Sequence, residues 1–286
     1  MKKILPIVLF LTVIAFEPIF SQVIQDNEEI QLEAFIYESA YLENQVDEAI
    51  SVLEGLLEQL SPDNDSRSIV KVLTVAFEHE RMRQISTDYI SLIMNENFAN
   101  EIVRFLEDES MYYIHKSVFN ANLDLDDPEI VVDFESYIEM TDIQNRSDER
   151  IDIVQDIIRL TRLIPTSLQR LEDILTAVMF GLNIALPAEE QVSGEELNEL
   201  IITLRANFRQ LYDNITPAFI LYATRNADID DLKTYRHFLN TPAGSWYIRI
   251  INRASLNSFD SMSDGASRLV ADWAIERAEL EEERAN

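Results

Sequence analysis

The sequence contains no cysteine, little glycine and few lysines. Without cysteine the chain forms neither disulfides nor thiolate metal sites, and it lacks the residue to which a bacterial lipoprotein attaches its lipid. It has only five glycines, where average usage of about 7% would give roughly 20. Because sheets and elaborate loops use glycine at their turns, this scarcity favours helices joined by short connections.

Charge of one sign dominates the composition. The chain carries 23 lysines and arginines against 52 aspartates and glutamates, a formal net charge of −29. Such a surface repels phosphates and anionic membranes, so we expect no nucleic-acid partner. Three interpretations stay open: a solvated surface adapted to salty surroundings, a sink for cations, or a docking face for a basic partner.

The N-terminus has the layout of a secretory signal peptide. Lys2 and Lys3 precede a mostly apolar run over Ile4–Phe16, and Glu17–Ser21 then ends in a small residue. This pattern predicts a signal peptide over residues 1–21 and a periplasmic or secreted mature protein. The run is shorter than the roughly 20 apolar residues that span a bilayer, and no later run is long enough, so we predict no transmembrane segment after the signal.

Apolar residues recur at the three- and four-residue spacing of amphipathic helices. The stripes begin at Val46, Leu168 and Leu197, and no alternating strand pattern stands beside them. We therefore predict an all-α, multi-helix bundle of about ten helices. The expected connections lie near residues 61–66, 122–127, 141–147, 187–194 and 240–242.

Capping residues predict where several of these helices begin. Asp127, Thr216 and Thr241 each precede a proline, an arrangement that opens a helix because the missing N–H has no partner in the first turn. Ser193 followed by Glu196 predicts a capping box. Ser147, followed by two acidic residues, predicts another helix start.

Two segments of the chain have similar patterns. Val52–Leu56 resembles Val178–Leu182, and Phe105-Leu106 later aligns with Phe238-Leu239. Either the chain contains two diverged tandem copies of one helical unit, or amphipathic helices match by chance. Tandem copies would divide the chain after its signal into a first helical unit (22–140), a second helical unit (147–260) and an acidic C-terminal helix (261–286).

The second unit resembles a bacterial family of exported helical proteins. Leu168–Leu182 is similar to the leading helix of the family called domain of unknown function 2059. Asn226–Phe238 is similar to its acidic helix, and Asn240–Gly244 to the Ser/Thr-Pro-x-Gly turn that follows. The resemblance covers about residues 166–260 and implies export and a helical fold without implying an activity. The first unit has neither proline nor glycine in Glu107–Met111, so we expect this turn to be lost there.

Aromatic residues beside this turn form the candidate interaction site. A glycine in the first turn of a helix lets another backbone or an aromatic ring approach closely. This is typical of tight helix packing, and the alternative is a recognition groove. On that alternative we expect Gly244→Leu to impair partner binding more than folding. The groove residues are Tyr235, Phe238, Pro242, Gly244 and Trp246.

No sequence motif predicts catalysis, a cofactor or a resident metal. Zinc-protease, nucleophile-elbow and phosphate-loop patterns are absent, and His79, His115 and His237 lie in separate segments. Residues 124–135 match a calcium loop at its ends, but Pro128 and Glu129 occupy positions where that loop needs a ligand and a glycine. A helix start explains the same residues.

These observations favour a non-enzymatic binding protein of the bacterial envelope. Its partner is expected to be a protein that binds between helices. The alternative is a carboxylate-based or metal-dependent hydrolase whose residues come from distant segments of the chain. A binding protein should expose apolar side chains, whereas an enzyme should bring together carboxylates of perturbed pKa.

Overall fold

The computed structural model describes residues 31–60, 65–120, 128–141 and 148–285. Within these ranges the chain is helical and has no strand, which confirms the all-α prediction. The helices are α1 Leu32–Ser39, α2 Leu42–Leu60, α3 Asp65–Ala76, α4 His79–Leu92, α5 Glu96–Leu106, α6 Glu109–Phe119, α7 Pro128–Thr141, α8 Glu149–Thr161, α9 Leu163–Ala185, α10 Gly194–Ala223, α11 Ile229–Leu239 and α12 Pro242–Ala285.

Helix α12 is the axis of the bundle. It has 44 residues and packs along α9, with α3, α4 and α5 against its other sides. Ser263 Oγ donates to the Asp173 carbonyl at 3.1 Å and Asn252 Nδ2 to the Thr161 carbonyl at 2.9 Å. Helices α9 and α12 run parallel, because Gly181, further along α9 than Asp173, lies against Ser267 and Val270, which are further along α12 than Ser263.

Helix α12 continues through position 260/261, where the sequence analysis placed a boundary between the second unit and a C-terminal helix. Phe259, Met262 and Ala266 are all fully buried on either side of this position. A helix held in the core along its length tolerates Gly265, which costs about 1 kcal/mol relative to alanine. Packing therefore keeps the helix continuous.

Several predicted helix ends are confirmed. Ser193 and Glu196 form the capping box that begins α10, with Ser193 N donating to Glu196 Oε2 at 3.0 Å. Helix α12 begins at Pro242, and Gly244 N donates to Thr241 Oγ1 at 3.1 Å. Helix α8 begins at Glu149 with Asp148 as its cap. The predicted caps Ser147 and Asp127 lie outside the described residues, as do residues 124–127 of the calcium-like segment, whose remainder lies in α7.

The prediction that Pro217 opens a helix was wrong, because Pro217 lies inside α10. A proline in a helix interior removes one hydrogen bond and usually breaks or bends the helix. Here buried side chains hold α10 to the core on both sides of the proline, with Phe208 before it and Leu221 after it. Tertiary packing therefore overrides the local signal.

One core joins the first and second parts of the chain. Buried residues from α1 to α6 and from α8 to α12 form a single hydrophobic cluster. In the first part, Glu107 and Asp108 connect α5 to α6, and Asp108 accepts hydrogen bonds from Ser110 N and Met111 N. An aspartate caps α6, whereas Thr241 and Pro242 begin α12 in the second part.

The two parts share a further backbone feature. Tyr41 and Arg162 have φ of 52° and 55°, and they are the non-glycine residues with positive φ in the described part of the chain. Tyr41 directly precedes α2 and Arg162 directly precedes α9, the two helices that carry the matching sequence pattern. Left-handed backbone is rare for residues with a side chain. The shared feature agrees with tandem copies, which stay a prediction.

Candidate interaction site

The five residues of the predicted groove lie together where α11 meets α12. Tyr235 is fully buried and Trp246 is 7% exposed, while Pro242 is exposed. Phe238 stacks on Phe105 of α5 with ring centroids 3.7 Å apart and ring planes 10° apart. The structure thus places helix α5 of the same chain against Phe238, and the groove stays a prediction.

A buried hydrogen-bond network extends from Tyr235. Its hydroxyl lies 2.9 Å from His115 Nδ1, and His115 Nε2 lies 2.8 Å from the Ser39 carbonyl and 3.1 Å from the Tyr247 hydroxyl. Burial lowers the pKa of His115 to about 4, so its imidazole is neutral near pH 7. The network links α1, α6, α11 and α12 and gives each buried polar group a partner.

Gly244 is required by the turn between α11 and α12. A Cβ atom at this position would lie 2.1 Å from the Phe238 carbonyl oxygen and 2.9 Å from the Leu239 Cα. Both are backbone atoms, so they cannot move aside as a side chain would. The expectation that Gly244→Leu impairs partner binding more than folding is therefore replaced by a prediction about stability.

We predict that Gly244→Ala lowers the free energy of unfolding by about 2 kcal/mol or more, because the helices must separate at the turn. Gly265→Ala in the same helix is the matched control. Its added Cβ would meet only Arg81 Nη1, at 3.7 Å, so it should stabilise the chain by about 0.5–1 kcal/mol. Urea denaturation followed by circular dichroism measures both. Equal stability of the two variants would contradict the prediction.

A second cluster, which the sequence analysis missed, surrounds Arg170 in the core. Arg170 is 3% exposed and its guanidinium donates to three neutral acceptors: Gln45 Oε1, Ser255 Oγ at 3.4 Å and Ser167 Oγ at 2.8 Å. Desolvation raises the pKa of Glu48, and the charge of Arg170 partly opposes that rise. The cluster therefore holds a buried cation on α9 near a carboxyl group on α2.

Asp173 stands one turn along α9 from Arg170. Desolvation raises the pKa of its carboxyl from 3.8 to about 6, and the nearby carboxylates Asp260 and Glu172 add to the rise. Arg205 Nη1 lies 2.7 Å from Glu172 Oε2, although the pair is not aligned as a hydrogen bond. The charge of Glu172 is thus compensated by Arg205.

The raised pKa of Asp173 predicts a pH effect on stability. The folded chain binds this proton more tightly than the unfolded chain, so the contribution is fully present below pH 3.8 and is lost as the pH rises through about 6. Asp173→Asn should therefore stabilise the protein at pH 7.5, by about 1–2 kcal/mol after allowance for partial exposure. The exposed Asp272→Asn is the control for net charge. Equal Tm shifts at pH 7.5 and pH 4 for both variants would contradict this.

An exposed apolar surface lies at one end of the bundle. We call it the distal tip, comprising the end of α9, the connection 186–193, the start of α10 and the C-terminal part of α12. The connection is held closed, because Asn183 Nδ2 donates to the Val192 carbonyl at 3.0 Å and Val192 N donates to Asn183 Oδ1 at 2.8 Å. Its exposed apolar side chains are Ile184, Leu186, Val192, Leu200, Ile202 and Ile275.

Helix register brings these side chains to the same end. Asp173 lies beside Ser263, and Gly181 lies beside Val270, which places Leu186 level with about Ile275. Helix α10 returns antiparallel to α9, as its Arg205–Glu172 ion pair shows. The connection near 187–194 was predicted from the sequence, whereas the exposure of these apolar side chains was not.

The three histidines lie apart. His79 Nε2 is 2.9 Å from Asp47 Oδ1 at the surface, His115 is buried and His237 is exposed. In the ranges that the structure describes, no group of three or more histidine, aspartate or glutamate side chains is placed to hold a metal ion. No helix there combines the length and apolar character needed to cross a bilayer.

Comparisons of the chain with models of known protein families, with curated proteins and with solved structures found no match.

Proposed function

We propose that this chain is a non-enzymatic binding protein that acts after export, in the periplasm or outside the cell, and that its partner is a protein. The signal-like N-terminus and the family resemblance support export. The distal tip carries the proposal for binding, because a protein that functions alone gains nothing from exposing a group of large apolar side chains in one place.

Two apolar side chains at the tip are more than half exposed. Ile202 is 63% exposed and Ile184 is 57% exposed, and both belong to regular helices. Neighbouring side chains such as Leu197 and Ile201 are buried against α9, so the apolar pattern continues beyond what the core requires. Exposed apolar side chains grouped beside polar ones are typical of protein–protein interfaces.

Site-specific photocrosslinking in cells tests this proposal. A photoreactive phenylalanine analogue is introduced at Leu186 or Leu200, and at Leu92 as the control. Leu92 is 81% exposed, and α4 runs antiparallel to α12 with Ser86 bonded to Ser258, which puts Leu92 roughly 35 Å from Ile275. One covalent partner from the tip positions and none from Leu92 supports the proposal. Equal or absent crosslinks at all three positions overturn it.

A carboxylate-based hydrolase is the second candidate, and the Arg170 cluster is the observation that favours it. Two carboxyl groups with raised pKa, Glu48 and Asp173, both interact with Arg170. Such perturbed groups are common in active sites and also in structural ion clusters. Asp173→Asn separates the two roles, because a hydrolase would lose activity whereas a structural carboxyl would only change stability.

A further inference from the structure

We infer that the partner segment bound by the distal tip is a basic amphipathic helix whose apolar face covers the exposed side chains. This inference rests on the proposed function and adds the chemistry of the partner. It comes from the arrangement of carboxylates around the apolar side chains.

The tip carries charge of almost one sign. Residues 183–202 include five glutamates and no lysine or arginine. Four of these glutamates, Glu189, Glu190, Glu195 and Glu199, are exposed beside the apolar residues of the connection and of α10. In the C-terminal part of α12, Asp272, Glu276, Glu279 and Glu283 are exposed, and Arg277 lies over the Trp273 ring at 6.0 Å. Exposed carboxylates thus accompany the apolar residues of the tip on both α10 and α12.

This arrangement selects among possible partners. A second copy of the chain, bound through the same surface by two-fold symmetry, would bring the carboxylates of the two tips together. An anionic membrane would meet the same repulsion. A helix with leucine-like residues at positions i, i+3, i+4 and i+7 and with lysine or arginine on its flanks complements both the apolar side chains and the carboxylates of the tip. About three helical turns, roughly 16 Å, would reach across the tip.

Peptide binding tests the inference. The probe is a labelled amphipathic helix of leucine and lysine, and its comparison peptide carries glutamine in place of lysine. Binding to the mature chain is measured by fluorescence anisotropy at low and high salt. Three protein variants are compared with the unaltered chain: the apolar variant Leu186→Ser/Val192→Ser, the charge variant Glu189→Gln/Glu190→Gln/Glu199→Gln, and the control Leu92→Ser.

The expected result is a loss of affinity for the basic peptide of about tenfold or more in both tip variants, with none in the control. Affinity should also fall at high salt. Equal loss or no loss across all three variants overturns the inference, because the peptide then does not recognise the tip. Loss in the charge variant alone also overturns it, because the peptide then follows net charge.

The comparison peptide separates this inference from the proposed function. Tight binding of the glutamine peptide at the tip, unaffected by the charge variant, overturns the basic partner and leaves a protein-binding tip. Dimerisation seen by light scattering and abolished by the apolar variant also overturns it, with a second copy as the occupant. The proposed function itself fails if tip crosslinks are absent in cells.

Discussion

Replacing Gly181 by leucine is expected to prevent the chain from folding. Gly181 lies where α9 and α12 approach most closely: a Cβ atom there would be 2.5 Å from the Ser267 carbonyl oxygen and 2.7 Å from Val270 Cβ. The first of these atoms belongs to the backbone of a helix that is packed on several sides, so it cannot yield locally. Because α12 is the axis of the bundle, separating it from α9 disturbs the whole core.

Gly181→Ala tests the same close approach of α9 and α12 with a smaller added side chain. One methyl group should cost about 3 kcal/mol, at the upper end of what overpacking usually costs, because the helices must move apart. Gly265→Ala is again the control, because its new Cβ would make only an ordinary contact with Arg81 Nη1 at 3.7 Å, and it should raise Tm. Thermal unfolding followed by circular dichroism gives both values. A Tm for Gly181→Ala at or above that of the unaltered chain would show that α9 and α12 are not in this close contact.

The helices and their ends were predictable because they depend on residues close in sequence. Ser193 and Glu196 act across one turn, and Thr241, Pro242 and Gly244 act within another, so their chemistry is visible in the sequence. Pro217 shows the limit of this reasoning. The local signal for a helix start is real, but packing of the residues around it decides whether the helix continues.

The candidate site was likewise predictable only in part. Tyr235, Phe238 and Trp246 were predicted to cluster because a single turn joins their helices. Their partners come from more than a hundred residues away, with Phe105 on Phe238 and His115 on Tyr235, and no spacing rule predicts such pairs. These aromatic contacts therefore hold the two parts of this chain together.

The distal tip was not predictable because exposed and buried apolar side chains give the same helical pattern. In α9 the apolar pattern is first covered by the core, where Ile174 and Val178 are buried. Ile184 and Leu186 continue the pattern beyond the point where neighbouring helices cover α9. Only the lengths and relative positions of α9, α10 and α12 show where the core ends.

Arg170 was missed because a buried arginine in an amphipathic helix has no sequence signature. Its neighbours Gln45 and Ser255 come from α2 and α12, so the cluster forms only when three helices meet. Buried charge of this kind contributes to specificity in some proteins, by penalising arrangements in which the charge lacks its partners. That role makes a definite prediction for substitutions.

Arg170→Ala is expected to lower the free energy of unfolding by about 3–5 kcal/mol, because it removes the donor that three buried side chains share, leaves Gln45 Oε1 with Ser255 Oγ at 3.2 Å as its donor, and creates a cavity. It also removes the charge that opposes the raised pKa of Glu48. The variant should therefore regain stability as the pH falls from 7 to 5, since a protonated Glu48 is cheaper to bury.

The double variant Arg170→Met/Glu48→Leu separates charge from packing. Replacing both charged groups by apolar ones of similar size removes the buried charge and fills the space, so its stability at pH 7 should exceed that of Arg170→Ala by about 2 kcal/mol or more. Arg205→Met, which removes a half-exposed partner of Glu172, is the control and should cost under about 1 kcal/mol. Urea denaturation at pH 7 and pH 5 measures each variant. If Arg170→Ala costs no more than Arg205→Met, or if the double variant is no more stable than Arg170→Ala, the buried charge is not what organises this junction of α2, α9 and α12.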